Sequence, residues 1–273
     1  GLGYGIYLSL RIFRIPDITT DGSYTFGGVV TAISISQGVH PVVAMLFSLM
    51  AGMFAGGASG FLHTRLRINA LLAGILVMTA LYSVNLIILG RPNLPLTDVR
   101  TFFNLIPFGD DITKTIISIA LFTILISVLL HYLLRTDFGI ALRATGNNED
   151  MAQAMGISTS SMKITGLAMA NGLTALSGAL MTQYQGFADI NMGVGIVVSG
   201  LGAVMIGETI FGRLIQQKTG LHLIAVLTGG VIFRLAIALT LAAGADPSYL
   251  RLFTALAVLL ILSIGKMRKS IPA

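Results

Sequence analysis

RATGNNEDMAQAMGIS, residues 143–158, is a polar island between two apolar runs, roughly 113–134 and 161–185. The wider stretch from Arg135 to Lys163 carries Asp137, Arg143, Glu149 and Asp150 and contains no apolar run. Its spacing predicts a short helix. Asn148 can cap the first turn, Glu149 and Asp150 complement the helix dipole there, and Gly156 supplies the stop. Met151, Ala152 and Met155 fall on one face. A helix of about seven residues is unstable alone in water, so it needs a surface to dock on. A groove in a partner protein fits an apolar face of that size. The alternative is the membrane interface.

The flanking runs decide the fold class. Of 273 residues, 55% are hydrophobic and 10% charged, with a mean hydropathy of +0.88. A soluble domain carries about 25% charge, so the chain reads as an all-α, polytopic membrane protein. About nine transmembrane segments are expected, at roughly 1–13, 22–38, 41–62, 69–90, 113–134, 161–185, 193–211, 220–243 and 249–265. They form a single transmembrane domain over 1–273, with a cytoplasmic loop at about 135–162. The first run begins at Gly1 and reaches only Phe13, so further residues are expected upstream of this numbering. The chain has no cysteine, which removes disulfides, iron–sulfur clusters and thiol catalysis.

The net charge of +6 does not point to nucleic acid, because the basic residues cluster at the ends of the apolar runs. With alternate loops on alternate sides, Arg11, Arg14, Arg65, Arg67, Arg135, Arg143, Lys163, Arg213, Lys218, Lys266, Arg268 and Lys269 share one side. Arg91, Arg100, Lys114 and Arg251 share the other. Twelve against four makes the first side cytoplasmic by the positive-inside rule. An odd number of crossings then places the N-terminus outside and the C-terminus in the cytoplasm. The outer loop 91–112, with three prolines and the pair Asp110 and Asp111, either receives a soluble partner or simply joins two helices.

The second and seventh segments are rich in glycine, which costs a helix up to about 1 kcal/mol per residue and lets backbones approach closely. Laid over one another they share Asp21/Asp189, Gly27/Gly195, Val29-Val30/Val197-Val198 and Thr31/Ser199. Because they run in opposite directions, the match predicts inverted-topology repeats, about 1–90 and 161–265. Shared membrane composition is the competing reading. Gly52, Gly56 and Gly60, and Gly166, Ala170, Thr174 and Gly178, form two stripes at helix-packing spacing.

The stretch TDFGIALRATGNNEDMAQAMGIS resembles the coupling loop of permease subunits in ATP-binding-cassette importers of the branched-chain amino acid and ribose type. The matching positions are Gly139, Ala141, Arg143, Ala144, Gly146, Asn148, Ala152, Gly156 and Ile157. The opening RIPDITTDGSYTFGGVVTA resembles the start of these permeases, particularly a subgroup tied to aromatic amino acid uptake. The resemblance implies a bacterial inner-membrane permease working as a dimer, with two ATPase subunits below and an extracytoplasmic substrate-binding protein above. In that family the short helix sits in a cleft of the ATPase and transmits its closure. Arg143, Asn147, Asn148, Glu149, Asp150, Met151, Ala152, Met155 and Gly156 would form that contact here.

No G-x-x-x-x-G-K-[ST] motif is present, so the chain cannot cradle ATP in the P-loop manner. ATP and Mg are expected on the partner ATPase, with no cofactor or metal on this chain and no enzymatic role. Gly57-Ala58-Ser59-Gly60 matches the short motif of intramembrane serine proteases, with His222 as a conceivable base, yet it lies inside a packing stripe. An ion-coupled secondary transporter is the other alternative, and a proton coupler would need a buried carboxylate.

Arg234, inside GGVIFRLAIALTL, is the clearest intramembrane charge and departs from what the resemblance leads one to expect. Such a charge costs about 2.5–3.5 kcal/mol on insertion scales, so it should turn toward the protein interior. Asp21, Asp189 or a substrate carboxylate could pair with it. Tyr24, Asn85, Asn171 and Asn191 are further residues able to line a substrate path, although each alone fits a helix–helix contact. The expected substrate is an amino acid, aromatic or branched-chain.

Overall fold

The computed structural model describes residues 1–97, 99–105, 110–212, 219–242, 252, 254–256 and 258–259. It divides into two compact units, Gly1–Val194 and Gly195–Ala273.

The first unit is built from helices whose ends follow their sequence signals. A five-residue α1 (Leu2–Ile6) runs into a six-residue π-helix, Tyr7–Ile12. Then come α2 (Thr19–Ser36), α3 (Pro41–Thr64), α4 (Ala70–Leu89) and α5 (Asp111–Arg135). His40 accepts the Val42 amide before Pro41 opens α3, and Asn69 accepts the Leu71 amide at the start of α4. Gly90, at φ +67°, ends α4 in the left-handed conformation that glycine adopts without penalty. The polar island holds α6 (Asp137–Asn147) and α7 (Glu149–Ala154), and α8 (Thr159–Gln185) follows. Two short strands, β1 (Asn93–Pro95) and β2 (Phe187–Asp189), pair antiparallel with Leu94 opposite Ala188.

Helix α2 is the polar, glycine-rich centre of this unit. It packs on α3, α4 and α8, and buries Ser23, Tyr24, Thr25 and Thr31. A helix wrapped by protein needs little hydropathy of its own, which is why α2 is absent from the helices apolar enough to cross a bilayer. Those number five among the described residues: α3, α4, α5, α8 and, in the second unit, α10.

Small residues set the packing distances. A methyl group at Gly52 would strike Ala175 and Asn171, one at Gly56 would strike Leu167, and one at Gly60 would meet Ile164. The stripe on α3 therefore descends α8 antiparallel, turn against turn. Likewise Gly27 lies against the Ala175 carbonyl and Gly178 against that of Tyr24, closing α2 onto α8. Both small-residue stripes expected from the sequence work as architecture. The outward faces are apolar: Phe47, Met50 and Phe54 on α3, Ile87 on α4, and Ile112, Ile116, Leu121 and Ile124 on α5 are exposed. Exposed apolar surface on this scale suits lipid or another subunit.

The second unit contains α9 (Ile196–Phe211) and α10 (Thr219–Ala242). Gly207 meets the Ala225 carbonyl and Gly229 that of Ala203, so this pair too closes on glycine.

The nine expected segments map unevenly. Six correspond closely to α3, α4, α5, α8, α9 and α10, and 22–38 to α2. Residues 1–13 hold α1 and the π-helix, with Tyr4, Ile6, Leu8 and Ser9 enclosed by protein. The run 249–265 lies mostly outside the described residues, so the count of nine stands as a sequence expectation. The aligned halves also differ locally: Asp21 is in the first turn of α2 and Asp189 in β2, while Gly27 is mid-helix and Gly195, at φ +80°, precedes α9.

Candidate functional site

The polar island folds as its residues dictate. Thr136 accepts the Gly139 amide and starts α6, a helix the sequence reading passed over. The missed signal was Thr136 followed by Asp137, a cap and a first-turn carboxylate. Asn148 breaks the helix and caps the next one, its side-chain oxygen accepting the Met151 amide at 3.0 Å. Glu149 and Asp150 occupy the first turn of α7, and Gly156, at φ +82°, lets the chain turn into α8.

Met151 and Ala152 of α7 and Met155 at its C-terminal cap do not share one environment. Ala152 is enclosed, 1% exposed, while Met151 and Met155 are 63% and 71% exposed. The expected single face is thus corrected: Ala152 seats the helix on its own chain, and the two methionines project from it. Arg143 is exposed on α6, its Nε donating to the Gly139 carbonyl at 3.4 Å. Asn147 closes α6 and is exposed beside the Asn148 cap.

Two side-chain bonds fasten α7 to α8. Lys163 Nζ lies 2.6 Å from Glu149 Oε2, and Gln153 Nε2 donates to Thr159 Oγ1 at 2.9 Å. The Lys163 ammonium holds the Glu149 carboxyl below its usual range, chiefly through that hydrogen bond. Gly146 of α6 also lies against the backbone of Ile12 and Phe13, and Gly60 against Ile164. The end of the unit bearing α7 therefore also gathers Arg11, Arg14, Arg65, Arg135 and Lys163. This is the grouping that the loop charges indicate.

The residues expected along a substrate path separate into different places. Asn171, fully buried, receives Ser23 Oγ on its carbonyl oxygen at 2.7 Å and donates to Asp17 Oδ2 at 2.6 Å. Asp17 Oδ1 also accepts the Thr19 amide at 2.9 Å. Asp17 was missed by sequence reading, although its place before Thr19 and Thr20 is a turn-and-cap signature. Tyr24 and Asn85 are enclosed between helices, and Asp21 is buried near the start of α2. These three, like Asn171, are buried among packed helices. Asp189 and Asn191 lie at the opposite end of the unit from α7. There Asp189 receives the Asn191 amide at 2.8 Å and the Asn93 side chain at 3.5 Å. Near that end, a cavity of about 390 Å³ opens between Phe103, Lys114, Gln183 and Tyr184. Arg234, in the second unit, is exposed, which corrects the expectation that it turns inward.

Ser59 is buried within the α3 stripe that packs on α8, between Gly56 and Gly60, so its hydroxyl is closed to a substrate. Among the described residues no group of three or more His, Cys, Asp and Glu side chains could hold a metal.

The sequence profile of the family described as "Branched-chain amino acid transport system / permease component" matches residues 2–263. The chain belongs to this permease family. A "Tyrosine transport system permease protein" of Clostridioides difficile is 37% identical over 99% of this permease and 88% of its own length. An uncharacterised protein of Rickettsia prowazekii is 35% identical over 97% of this permease and 92% of its own length. The ribose import permease of Bacillus subtilis is 26% identical over 79% of this permease and 68% of its own length. No solved structure matches the chain. Permease membership and several apolar helices agree on a multi-pass membrane protein with a transport role.

Proposed function

We propose that this permease is the membrane subunit of an ATP-driven importer that takes up an amino acid, aromatic or branched-chain, delivered by an extracytoplasmic substrate-binding protein. It sits in the bacterial cytoplasmic membrane, N-terminus outside and C-terminus in the cytoplasm. It pairs with a second permease copy and with two ATPase subunits that hold ATP and Mg. It binds no cofactor itself. The observation that carries this reading is α7, a capped helix seated by Ala152, which presents Met151 and Met155 outward from the basic end of the first unit.

Closure of an ATPase cleft around α7 would move a body already fastened to α8 through Glu149 and Gln153. Because α8 packs on both α2 and α3, a displacement at its N-terminus reaches the glycine-rich centre without a flexible joint. The halves 1–90 and 161–265 would then move as inverted repeats. The substrate class is supported by the tyrosine transport relative and by the sequence likeness to aromatic amino acid permeases.

An ion-coupled carrier is the competing class, and Asp17 supplies the buried carboxylate that it would require. Both Asp17 oxygens, however, are occupied by Asn171 and the Thr19 amide, the arrangement of a structural tie. Uptake of labelled L-tyrosine and L-leucine into vesicles separates the classes. The importer needs ATP, the ATPase and the binding protein, and it tolerates a protonophore. Uptake that survives without ATP and collapses with the protonophore would establish the carrier.

A further inference from the structure

Helix α10 is mostly apolar, with His222 near its start, and carries the charge of Arg234 two-thirds of the way from Thr219 to Ala242. Phe233, Gly229 and Val226 are buried, and Gly229 sets the contact with α9. Arg234 lies on another face, together with Val231, Leu235 and Ala238, all of them exposed. Among the described residues no carboxylate pairs with it. Charges at such depth face water or an anion.

We infer that this face of α10 lines the aqueous route of the solute, and that Arg234 receives the carboxylate of the amino acid in transit. The inference rests on the amino acid importer reading and names the atom group recognised. The planar fork of arginine meets a carboxylate with two parallel hydrogen bonds, whereas a lysine offers only a point charge. The exposed apolar neighbours Val231 and Leu235 would contact the side chain of the same solute. This assignment differs from an ion pair with a second copy of the chain and from snorkelling to a lipid phosphate.

The natural absence of cysteine makes the face directly readable. Single cysteines at Val231, Leu235 and Ala238 are introduced into the complete importer, with Arg234 retained, and exposed to a charged, membrane-impermeant methanethiosulfonate. The expected result is modification at Val231→Cys or Ala238→Cys that slows several-fold with saturating L-tyrosine or L-leucine during turnover. In parallel, Arg234→Gln should assemble with the ATPase yet lose at least about tenfold in uptake, the loss of one charged hydrogen-bonded contact, and Arg234→Lys should recover part of it. Thiols inert in all three positions would place the face in lipid and overturn the inference. So would disulfide cross-links between two copies at these positions without substrate protection, which would mark a subunit contact. Normal uptake by Arg234→Gln beside normal wild-type uptake would overturn this inference and leave the importer standing. Wild-type vesicles that take up no amino acid would overturn both.

Discussion

Lys163 Nζ reaches Glu149 Oε2 at 2.6 Å, so the first turn of α7 is fixed to the start of α8. Glu149 lies 42% exposed and Lys163 17%, a half-covered pair for which about 0.2–1 kcal/mol is the usual range. Its importance lies in direction rather than strength. It ties the projecting methionines to the helix that crosses both α2 and α3.

Glu149→Gln or Lys163→Met should therefore lower solute transported per ATP hydrolysed by up to roughly fivefold, the equivalent of a pair at the upper end of that range. The exchanged pair, Glu149→Lys with Lys163→Glu, should restore most of it. Parallel uptake and phosphate-release measurements on reconstituted complexes check both. Equal coupling in all variants would show that the contact is ornamental.

The same pair sets a pH window. The carboxyl of Glu149 is lowered in the folded state, so its stabilisation is complete above the ordinary carboxylate range near pH ~4.3. It is lost only as pH falls through the lowered value. Hydrogen exchange of the α7 amides should thus stay protected, after correction for intrinsic rates, from about pH 5.5 to 8. In Lys163→Met the protection should fall across that whole range.

Removing the Asp17 carboxylate leaves the Thr19 N–H and one Asn171 N–H without their acceptor, while Asn171 Nδ2 keeps its bond to the Leu167 carbonyl at 3.0 Å. Each unmade bond costs about 1–3 kcal/mol. Asp17→Ala should accordingly lower the melting temperature of the solubilised permease markedly, and Asp17→Asn less, since one oxygen remains. Unchanged melting of Asp17→Ala would contradict the tie.

Adjacent glycines on α3 make an internally controlled pair. Gly56→Ala drives a methyl into the Leu167 carbonyl and should cost about 1–3 kcal/mol through separation of α3 from α8. Gly57→Ala meets only the Ala168 methyl at 3.9 Å and should stabilise by up to about 1 kcal/mol through helix propensity. Thermal unfolding of the two variants checks the opposite signs.

Much of this was legible in the residues. The long apolar runs, the Gly52–Gly56–Gly60 stripe, and the Asn148 and Gly156 boundaries of α7 are local signals, and local signals survive into the fold. What the chain did not announce depends on who surrounds whom. Residues 1–13 are apolar enough to suggest a lipid-facing helix, yet Tyr4, Ile6 and Leu8 are enclosed by protein. Tyr24 and Asn171 look like path residues because they are polar within apolar segments; Tyr24 is enclosed by protein, and Asn171 bonds α8 to α2 and Asp17. Asp17 escaped notice because its two partners include a residue 154 positions away. The cost of its charge predicts an inward-facing Arg234, and its exposed position moves the question to what meets it outside its own chain.

The docking role of α7 is tested most directly by affinity purification of the tagged permease, co-expressed with its ATPase, as wild type and as Met151→Asp with Met155→Asp. The account predicts that the wild type retains the ATPase while the double variant, equally abundant and equally folded, loses it. An ATPase retained in full by the double variant, or one that never accompanies the wild type, would contradict it.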